Sequence, residues 1–317
     1  MDLCINSHTR TIADVDTQFG DGGKGKFVST LSEWADIFAR GTGGANAGHT
    51  VYAHGTIYRL HVLPAGVLYD GDGKTSVIGR GVAFDPAAAC EERDALAKGG
   101  IEVNYLKISK DAPLVLPQHT LLDQARNRGD EAIGTTGRGV GPCYVDHVAR
   151  CGLVVNDLLN PDVLARKLRA NLKAHAAELE SIYWLTRREI LSGALLGNGC
   201  YLGTSGSLDA DAIIERYREF GRRLGRHIED TDWFMRRAYA DEKRILLEGS
   251  QGLLLSLGHG TYPCVTSCDV TPHALATGVG LESAKIDCIL AVTKAYLTRV
   301  GRGPLPILCT SLAEAGR

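Results

Sequence analysis

The sequence lacks the features that mark several large classes of protein. Its 9 cysteines are odd in number and include no CxxC pair, so neither a disulfide framework nor a cysteine-rich zinc site is indicated. A net charge of -2 and a pI near 6.6 provide no global positive field that could hold a polyanion such as DNA. No apolar run resembles a signal peptide or reaches the length of a membrane span. We therefore expect a reduced, cytoplasmic protein with no nucleic-acid partner and no membrane attachment.

Repeats and convincing linkers are also missing. The 317 residues are 44% hydrophobic and 23% charged, an ordinary globular composition with enough apolar residues for a sizeable core. Because no shift in composition separates one unit from another, residues 1–317 are expected to form a single domain, with a mainly helical insertion around residues 155–240.

Helix signals occur at several points along the chain. One helix is expected to begin after Asp85-Pro86 and to end at a pair of glycines, and another to run from Asn160-Pro161 to about Glu180. Proline suits the first turn of a helix because the amide hydrogen that it lacks has no partner there.

Strand signals alternate with these helices. The segment from Thr50 to Pro64 predicts a hairpin that turns at His54-Gly55, and apolar runs predict further strands at residues 12–15, 35–39, 245–247 and 287–292. Alternating strands and helices are typical of an α/β fold. The expected architecture is P-loop-like: a largely parallel central sheet flanked by helices, with extra hairpin and helical insertions.

Glycine is abundant in the connecting loops. The 38 glycines cluster in GDGGKG, GTGGANAG, GTTGRGVG, GSQG and GRG. Such loops let backbone N–H groups approach a ligand closely. Ligands of open parallel sheets bind at the carboxyl ends of the strands, so these loops are candidates for a binding site.

The first of these loops resembles a phosphate-binding loop, with one anomaly. Residues Gly20 to Lys26 match G-x-x-x-x-G-K, but Phe27 follows where a standard P-loop has the Ser or Thr that ligates magnesium. Asp21 offers a carboxylate oxygen that could bind the metal instead, because magnesium prefers hard oxygen ligands. The alternative interpretation is a glycine-rich turn before a helix.

Three further stretches extend the pattern: GGANAGHT from Gly43 to Thr50, GTTGRGVGPCY from Gly134 to Tyr144, and EGSQGLLLSLGHGTYPCVTS from Glu248 to Ser267. A single histidine beside glycines, such as His49, is most often a surface or capping residue. It becomes a candidate catalytic residue when it is considered together with the first loop.

The ordered motifs GDxGKGK, NAGHT, GTTGRGxGP, EGxQG, HGTYPxVTS and TRVGxGP resemble those of the adenylosuccinate synthetase family, from about Asp16 to Pro306. The resemblance implies a ligase that joins L-aspartate to C6 of a purine nucleoside 5′-monophosphate. In that reaction the γ-phosphoryl group of a nucleoside triphosphate moves to O6, and the amine of aspartate then displaces the phosphate.

The resemblance also implies roles for individual residues. Asp21 would remove the N1 proton as general base and bind Mg²⁺, to which the carbonyl of Gly48 would also bind. His49 would hydrogen-bond the migrating phosphoryl group, and Lys24 would lie beside the phosphates. Arg150 matches an arginine that reaches the monophosphate from the neighbouring subunit, which implies a homodimer. The residues implied to bind nucleotides are Gly20, Gly22, Gly23, Gly25, Lys26, Asn46, Thr136, Arg150, Gln251 and Thr266.

The sequence departs from the family pattern in two places. Family members usually carry an acidic residue directly after the catalytic aspartate, where this chain has Gly22. Either this glycine relaxes the loop or the purine pocket is altered. The sequence also contains neither the arginine-rich loop that holds aspartate nor the T-K-x-D stretch that reads guanine. Its K-x-D at Lys285 to Asp287 lies upstream, in a segment that aligns elsewhere, and is interpreted as a false match to the guanine-reading stretch. Arg299, Arg302 and Arg317 are left as unranked candidates for binding aspartate.

These departures favour the phage branch of the family. Its members condense dGMP with aspartate, using ATP or dATP, to give 2-amino-2′-deoxy-N6-succinyladenylate for 2-aminoadenine DNA, and a phage-encoded protein would lie in the host cytoplasm. Retention of Asp21 is unusual for that branch. The main alternative is the housekeeping reaction of IMP with aspartate and GTP. More remote alternatives are a synthetase that has lost activity and a P-loop nucleotide-binding protein without catalysis, which would need neither Asp21 nor His49.

Overall fold

The computed structural model describes residues 5–127, 132–182, 209–299 and 301–305. Its centre is a seven-stranded sheet with the strand order β7-β6-β5-β2-β8-β1-β9, in which every pairing is parallel. These strands are β1 (Thr11–Asp16), β2 (Ile37–Arg40), β5 (Thr75–Ile78), β6 (Leu106–Ser109), β7 (Ile228–Glu229), β8 (Ile245–Glu248) and β9 (Cys288–Val292). The expected parallel sheet is confirmed.

Helices cover both faces of the sheet. In the described residues they are α1 (Lys24–Thr30), α2 (Pro86–Lys98), α3 (Pro117–Arg126), α4 (Val140–Ala149), α5 (Pro161–Ile182), α6 (Ala210–Leu224), α7 (Thr231–Ala240) and α8 (Pro272–Gly278). Short 3₁₀ helices lie at Ala65–Asp72, Val155–Leu159, Gly225–His227, Leu253–Leu255 and Ser283–Lys285.

The central strands are buried on both faces, as parallel strands between helical layers must be. Every residue of β1, β2 and β8 is buried. Side chains on one face, such as Ile12 and Phe38, join the larger apolar core that also takes in α5 and α6. Side chains on the other face, such as Ala13 and Leu247, join a smaller core against α7 and α8.

Local signals position the helix ends where the sequence predicted them. The carboxylate of Asp85 accepts hydrogen bonds from the amides of Ala87 and Ala88, at 3.0 and 3.1 Å, and Pro86 is the first residue of α2. A side chain that satisfies free amides at a helix start typically contributes about 1 kcal/mol. The helix expected from Asn160-Pro161 to about Glu180 is α5, which ends at Ile182.

The predicted hairpin is also present. Strands β3 (His49–Ala53) and β4 (Thr56–Leu60) pair antiparallel and turn at His54-Gly55, whose φ angles of 49° and 77° are those of a tight primed turn. The hairpin packs directly on α1. The hydroxyl of Ser29 donates to the carbonyl of Tyr52 at 2.9 Å. A Cβ at Gly25 would overlap the carbonyl oxygen of Thr50, so only glycine permits this approach.

Other elements differ in extent from the sequence prediction. The strand expected at 35–39 begins at Ile37, and the one expected at 287–292 begins at Cys288. The carboxylate of Asp287, directly before that strand, accepts the amides of Arg10 and Thr11. Helices α5 to α7 lie in the expected insertion around 155–240, of which residues 183–208 lie outside the described part. Among the described residues no helix is both long and apolar enough to cross a membrane.

Candidate active site at the carboxyl ends of β1, β2 and β8

The strand order brings three glycine-rich loops to one place. Because β2, β8 and β1 are consecutive in the sheet, the loops that leave their carboxyl ends are neighbours. They are the loop before α1, the GTGGANAG stretch that leads into β3, and the GSQG turn after β8. This edge of a parallel sheet is where ligands bind in open α/β folds.

The first loop places a buried lysine beneath an exposed carboxylate. Asp21 is exposed and has a left-handed backbone, with φ of 55°. Lys24 opens α1, and its ammonium donates to the carbonyl of Gln251 at 2.6 Å and lies 4.0 Å from Oδ2 of Asp16. Burial lowers the pKa of Lys24, while Asp16, Asp14 and Asp21 act to raise it. The side chain of Lys26, two residues further on, is exposed.

Three of the predicted monophosphate-binding residues are joined by hydrogen bonds. The Nε2 group of Gln251 donates to Oδ1 of Asn46 at 3.1 Å, and Nδ2 of Asn46 donates to Oγ1 of Thr266 at 3.3 Å. The backbone of Gln251 is left-handed, with φ of 51°, and its carbonyl accepts the ammonium of Lys24. The first loop and the monophosphate set are therefore connected through one glutamine.

His49 lies at the start of β3 and is buried. Burial, with the positive charges of Arg40 and Lys24 nearby, lowers its pKa well below the ordinary value, so the ring is neutral near pH 7. Its Nδ1 atom lies 3.8 Å from Oε2 of Glu248, the last residue of β8. Burial raises the pKa of Glu248 to about 7, although the amides of Ala65 and Gly66 and the charge of Arg40 oppose that shift.

Thr136 lies in the loop before α4, and Arg150 lies at the end of that helix. Thr136 is exposed in the GTTG loop, and the amide and carbonyl of its neighbour Thr135 are held by the side chain of Asn127. A cavity of about 850 Å³, within the size range of small-molecule sites, is lined by residues that include Thr135, Thr266 and Ser267. Arg150 is exposed and left-handed at the end of α4, with φ of 62°.

The residues predicted to hold magnesium fit that ion in chemical type. The Asp21 carboxylate and the Gly48 carbonyl are hard oxygen donors, and both residues are exposed on the loops at this edge of the sheet. A Cβ at Gly48 would meet no atom within 4 Å, so the space around it is open. Within the described residues, no hydrogen bond joins Asp21 to His49 or to Gly48, and their loops are placed on the same edge by the strand order and by the packing of α1 on the hairpin.

The structure supplies a local reason for Gly22, one of the two departures from the family pattern. A Cβ at this position would overlap Oδ2 of Asp16 and would lie 2.9 Å from Asp16 Cγ. Gly22 is thus required by a contact inside the loop, and that contact does not involve the purine pocket. Asp16 was missing from the sequence-predicted site, as were Glu248 and Arg40.

Hydrogen bonds within the fold engage the upstream K-x-D stretch. They also engage two of the arginines that were candidates for binding aspartate. Asp287, the acidic residue of the K-x-D stretch, binds backbone amides at the start of β1. Arg299 donates to the carbonyls of Cys264 and Arg302, at 2.5 and 2.8 Å, and Arg302 donates to the carbonyl of Ala132 at 3.1 Å. Arg317 lies outside the described residues.

A second polar cluster ties together the helices next to the site. Oδ2 of Asp146, on α4, accepts hydrogen bonds from Nε2 of His119 on α3 at 3.0 Å, and from Nδ2 of Asn171 and Nε2 of His175 on α5 at 2.6 and 2.8 Å. Burial opposes ionisation of Asp146, but these hydrogen bonds outweigh it and hold the pKa of the carboxyl far below its usual range. The same contact raises the pKa of His175 despite its burial.

Two histidines and a carboxylate also suggest a metal site, because their ligand atoms lie within 4.8 Å of one another. The hydrogen bonds argue against it. Nδ1 of His119 accepts the amide of Leu116 at 3.1 Å, so the ring proton is on Nε2, the atom that faces Asp146. The cluster is therefore a buried hydrogen-bonded network.

Comparison with known proteins identifies the family of this chain. The sequence model of the family described as adenylosuccinate synthetase matches residues 15–315. The adenylosuccinate synthetase of Chlorobium chlorochromatii is 43% identical over 295 residues, which are 92% of this chain and 63% of that protein. The enzyme of Halothermothrix orenii is 41% identical over 294 residues, or 92% of this chain and 64% of that protein. The chain thus spans a little under two thirds of these relatives.

Two solved structures share the fold. The fully ligated adenylosuccinate synthetase of Plasmodium falciparum superposes with a TM-score of 0.79 at 32% identity, covering 93% of this chain and 64% of that one. The succinoaminodeoxyadenylate synthetase of cyanophage S-2L, bound to dGMP and dATP, gives a TM-score of 0.56 at 22% identity, covering 90% of this chain and 63% of that one. The second likeness shows the fold alone. On the extent of the sequence match and on the identity to the bacterial relatives, this chain belongs to the adenylosuccinate synthetase family.

Proposed function

We propose that this protein joins L-aspartate to C6 of IMP at the expense of GTP, the housekeeping reaction of its family. The observation that carries the proposal is the run of hydrogen bonds from Lys24 through Gln251 and Asn46 to Thr266. It connects a loop suited to a triphosphate with a set of polar groups suited to a purine monophosphate. A nucleotide switch binds only one nucleotide and would not need the polar groups suited to a purine monophosphate.

The preference for dGMP with ATP or dATP, which the sequence alone favoured, is not supported. The bacterial relatives at 41% and 43% identity are adenylosuccinate synthetases, whereas the phage enzyme is 22% identical. Gly22 is explained by its contact with Asp16, so it gives no evidence of an altered purine pocket. The chain spans 64% of the Halothermothrix orenii relative. The absence of the guanine-reading stretch from this sequence is therefore no evidence that ATP is the phosphoryl donor.

The chemistry follows from the residues at the site. The 6-oxo group of a purine becomes a leaving group once O6 carries a phosphoryl group, and O6 can attack only when N1 loses its proton. Asp21 is the exposed carboxylate of the first loop and would take that proton. The neutral ring of His49 would donate a hydrogen bond to the phosphoryl group as charge develops on it. The ammonium of Lys24 lies beneath the same loop and would neutralise phosphate charge.

Magnesium would be held by the Asp21 carboxylate and the Gly48 carbonyl, where it would neutralise charge on the phosphates. Asn46, Thr136, Gln251 and Thr266 would bind the monophosphate. The homodimer is part of the same proposal. Arg150 is exposed at the end of α4, beside Val145 and Val148, which are 55% and 77% exposed, and it would reach the monophosphate of a second copy.

The test is aspartate-dependent release of phosphate in the presence of Mg²⁺, with IMP, GMP and dGMP each crossed against GTP, ATP and dATP. We expect turnover with IMP and GTP. Turnover with dGMP and an adenine triphosphate alone would reinstate the phage-type reaction. Binding of nucleotides without aspartate-dependent release would identify a binding protein or an inactive synthetase, and would overturn the proposal.

A further inference from the structure

A buried carboxylate lies directly beneath the first loop, in the strand and outside the loop motif. Asp16 is the last residue of β1, and its side chain is fully buried. Oδ1 accepts the amide of Gln18 at 2.8 Å, and Oδ2 accepts the amide of Gly22 at 2.5 Å. One carboxylate therefore holds the beginning and the end of the turn that carries Asp21.

The same carboxylate fixes which residue can occupy position 22. A Cβ there would overlap Oδ2 of Asp16, and the next neighbour after the carboxylate is Cγ1 of Val292 at 3.5 Å, an ordinary contact distance. The φ angle of Gly22 is not positive, unlike those of Gly20 and Gly23. Glycine is needed at position 22 because there is no space for a side chain beside Asp16, and not because the backbone conformation is unusual.

Asp16 also acts on the lysine of the loop. Its Oδ2 atom lies 4.0 Å from the ammonium of Lys24, and after burial it has the largest influence on the pKa of that group, which it raises. Lys24 is buried, so an adjacent negative charge favours its protonated form. The strand thus places an acidic side chain that opposes the lowering of the Lys24 pKa by burial, next to the loop where phosphates would bind.

We propose that Asp16 is a positioning residue of the nucleotide-binding loop, and that Asp16 and Gly22 form a matched pair in which neither residue can be changed alone without weakening the binding of a magnesium nucleoside triphosphate. The pair accounts for the departure from GDEGKGK: an acidic side chain at position 22 would overlap the carboxylate that this chain places at the end of β1. The inference rests on the proposed function in assigning the loop to the triphosphate.

The test is a double-mutant cycle of Asp16→Ala and Gly22→Ala, with calorimetric titration of Mg·GTP and of Mg·ATP into each protein. Gly22→Ala alone should weaken binding by about thirtyfold, because the new Cβ must displace the carboxylate that holds the Gly22 amide and Lys24. In the Asp16→Ala background the same change should cost less than about threefold, since only the contact with Val292 remains. Equal effects of Gly22→Ala in both backgrounds, or no effect in either, would overturn the inference.

Two controls separate positioning from general stability. Gly258→Ala adds a methyl group where nothing lies within 4 Å, and should leave affinity and thermal unfolding unchanged. Asp16→Asn keeps the shape of the side chain and removes its charge. It should weaken Mg·GTP by about tenfold while IMP affinity changes less than about threefold. Equal losses for both ligands would mean a structural role only.

Failure of this inference can be told apart from failure of the proposed function. If the effects of Asp16→Ala and Gly22→Ala on triphosphate binding are additive, and the wild-type protein ligates aspartate, only the pairing of Asp16 with Gly22 is overturned. Strong coupling in a protein that binds triphosphate and releases no aspartate-dependent phosphate would overturn the proposed reaction alone. A wild-type protein that binds neither triphosphate would overturn both.

Discussion

Removal of the Asp146 carboxylate should destabilise the fold more than any other single acidic deletion discussed above. The carboxylate is buried and accepts three hydrogen bonds, from His119, Asn171 and His175, which link α3, α4 and α5. In Asp146→Ala these donors, all of which are buried, lose their acceptor. Removing one partner from a buried charged network costs about 3–5 kcal/mol, so we expect a loss of about 4 kcal/mol in the free energy of unfolding.

The assay is denaturant unfolding followed by circular dichroism, with Asp241→Ala as the control. Asp241 pairs with Arg237 on the surface, where both side chains are more than half exposed, and its removal should change stability by less than about 0.5 kcal/mol. In a thermal scan the Asp146 variant should unfold roughly 6 °C below the wild type. Equal midpoints for the two variants would refute the energetic role assigned to the network.

The difference between wild type and Asp146→Ala should also depend on pH. The folded pKa of His175 lies above its unfolded value near 6.5, so its ionic contribution is complete below that pH and is lost as the pH rises through the folded pKa. The folded pKa of Asp146 is depressed, so its contribution is present above the ordinary range of aspartate and is lost in acid. The stability difference should therefore be larger at pH 6 than at pH 9, and should narrow again below about pH 4. A difference that grows from pH 6 to pH 9 would contradict this assignment.

Three further substitutions test the site itself. Asp21→Asn should lower aspartate-dependent turnover by about 10²-fold or more while IMP binding stays measurable by titration; near-normal turnover would remove the assignment as general base. Gln251→Ala should raise the KM for IMP by about tenfold and leave the thermal midpoint nearly unchanged, because it removes the hydrogen bond to Asn46 and retains the carbonyl that accepts Lys24. Arg150→Ala should weaken IMP binding about tenfold, because a charged contact with the phosphate is lost. A mixture of Arg150→Ala and Asp21→Asn proteins should recover activity only if active sites are shared between subunits.

The features that could be predicted from the sequence are those fixed by neighbouring residues. The Asp85-Pro86 helix start depends on a side chain and amides two and three residues apart. The His54-Gly55 turn likewise needs only its own backbone conformation. The glycine loops were recognisable because glycine is required wherever the backbone must approach a ligand or another strand.

The features that the sequence did not reveal depend on the order of strands in the sheet. Glu248 lies 3.8 Å from His49 only because β8 is placed between β1 and β2, and no spacing along the chain records that order. The Asp146 cluster joins residues 27 and 29 positions apart on three helices, without a local motif. Asp16 lies before the loop motif, and no sequence pattern indicates that a Cβ at position 22 would meet its carboxylate.

The contact between α1 and the hairpin has a consequence for how the site assembles. Gly25 lies against the carbonyl of Thr50, the residue after His49, and Ser29 holds the carbonyl of Tyr52. A displacement of α1 must therefore carry the start of β3 with it. The loop that bears Asp21 leads into α1, and His49 begins β3, so a shift of α1 would move together the two residues that are proposed as proton acceptor and as phosphoryl-binding group.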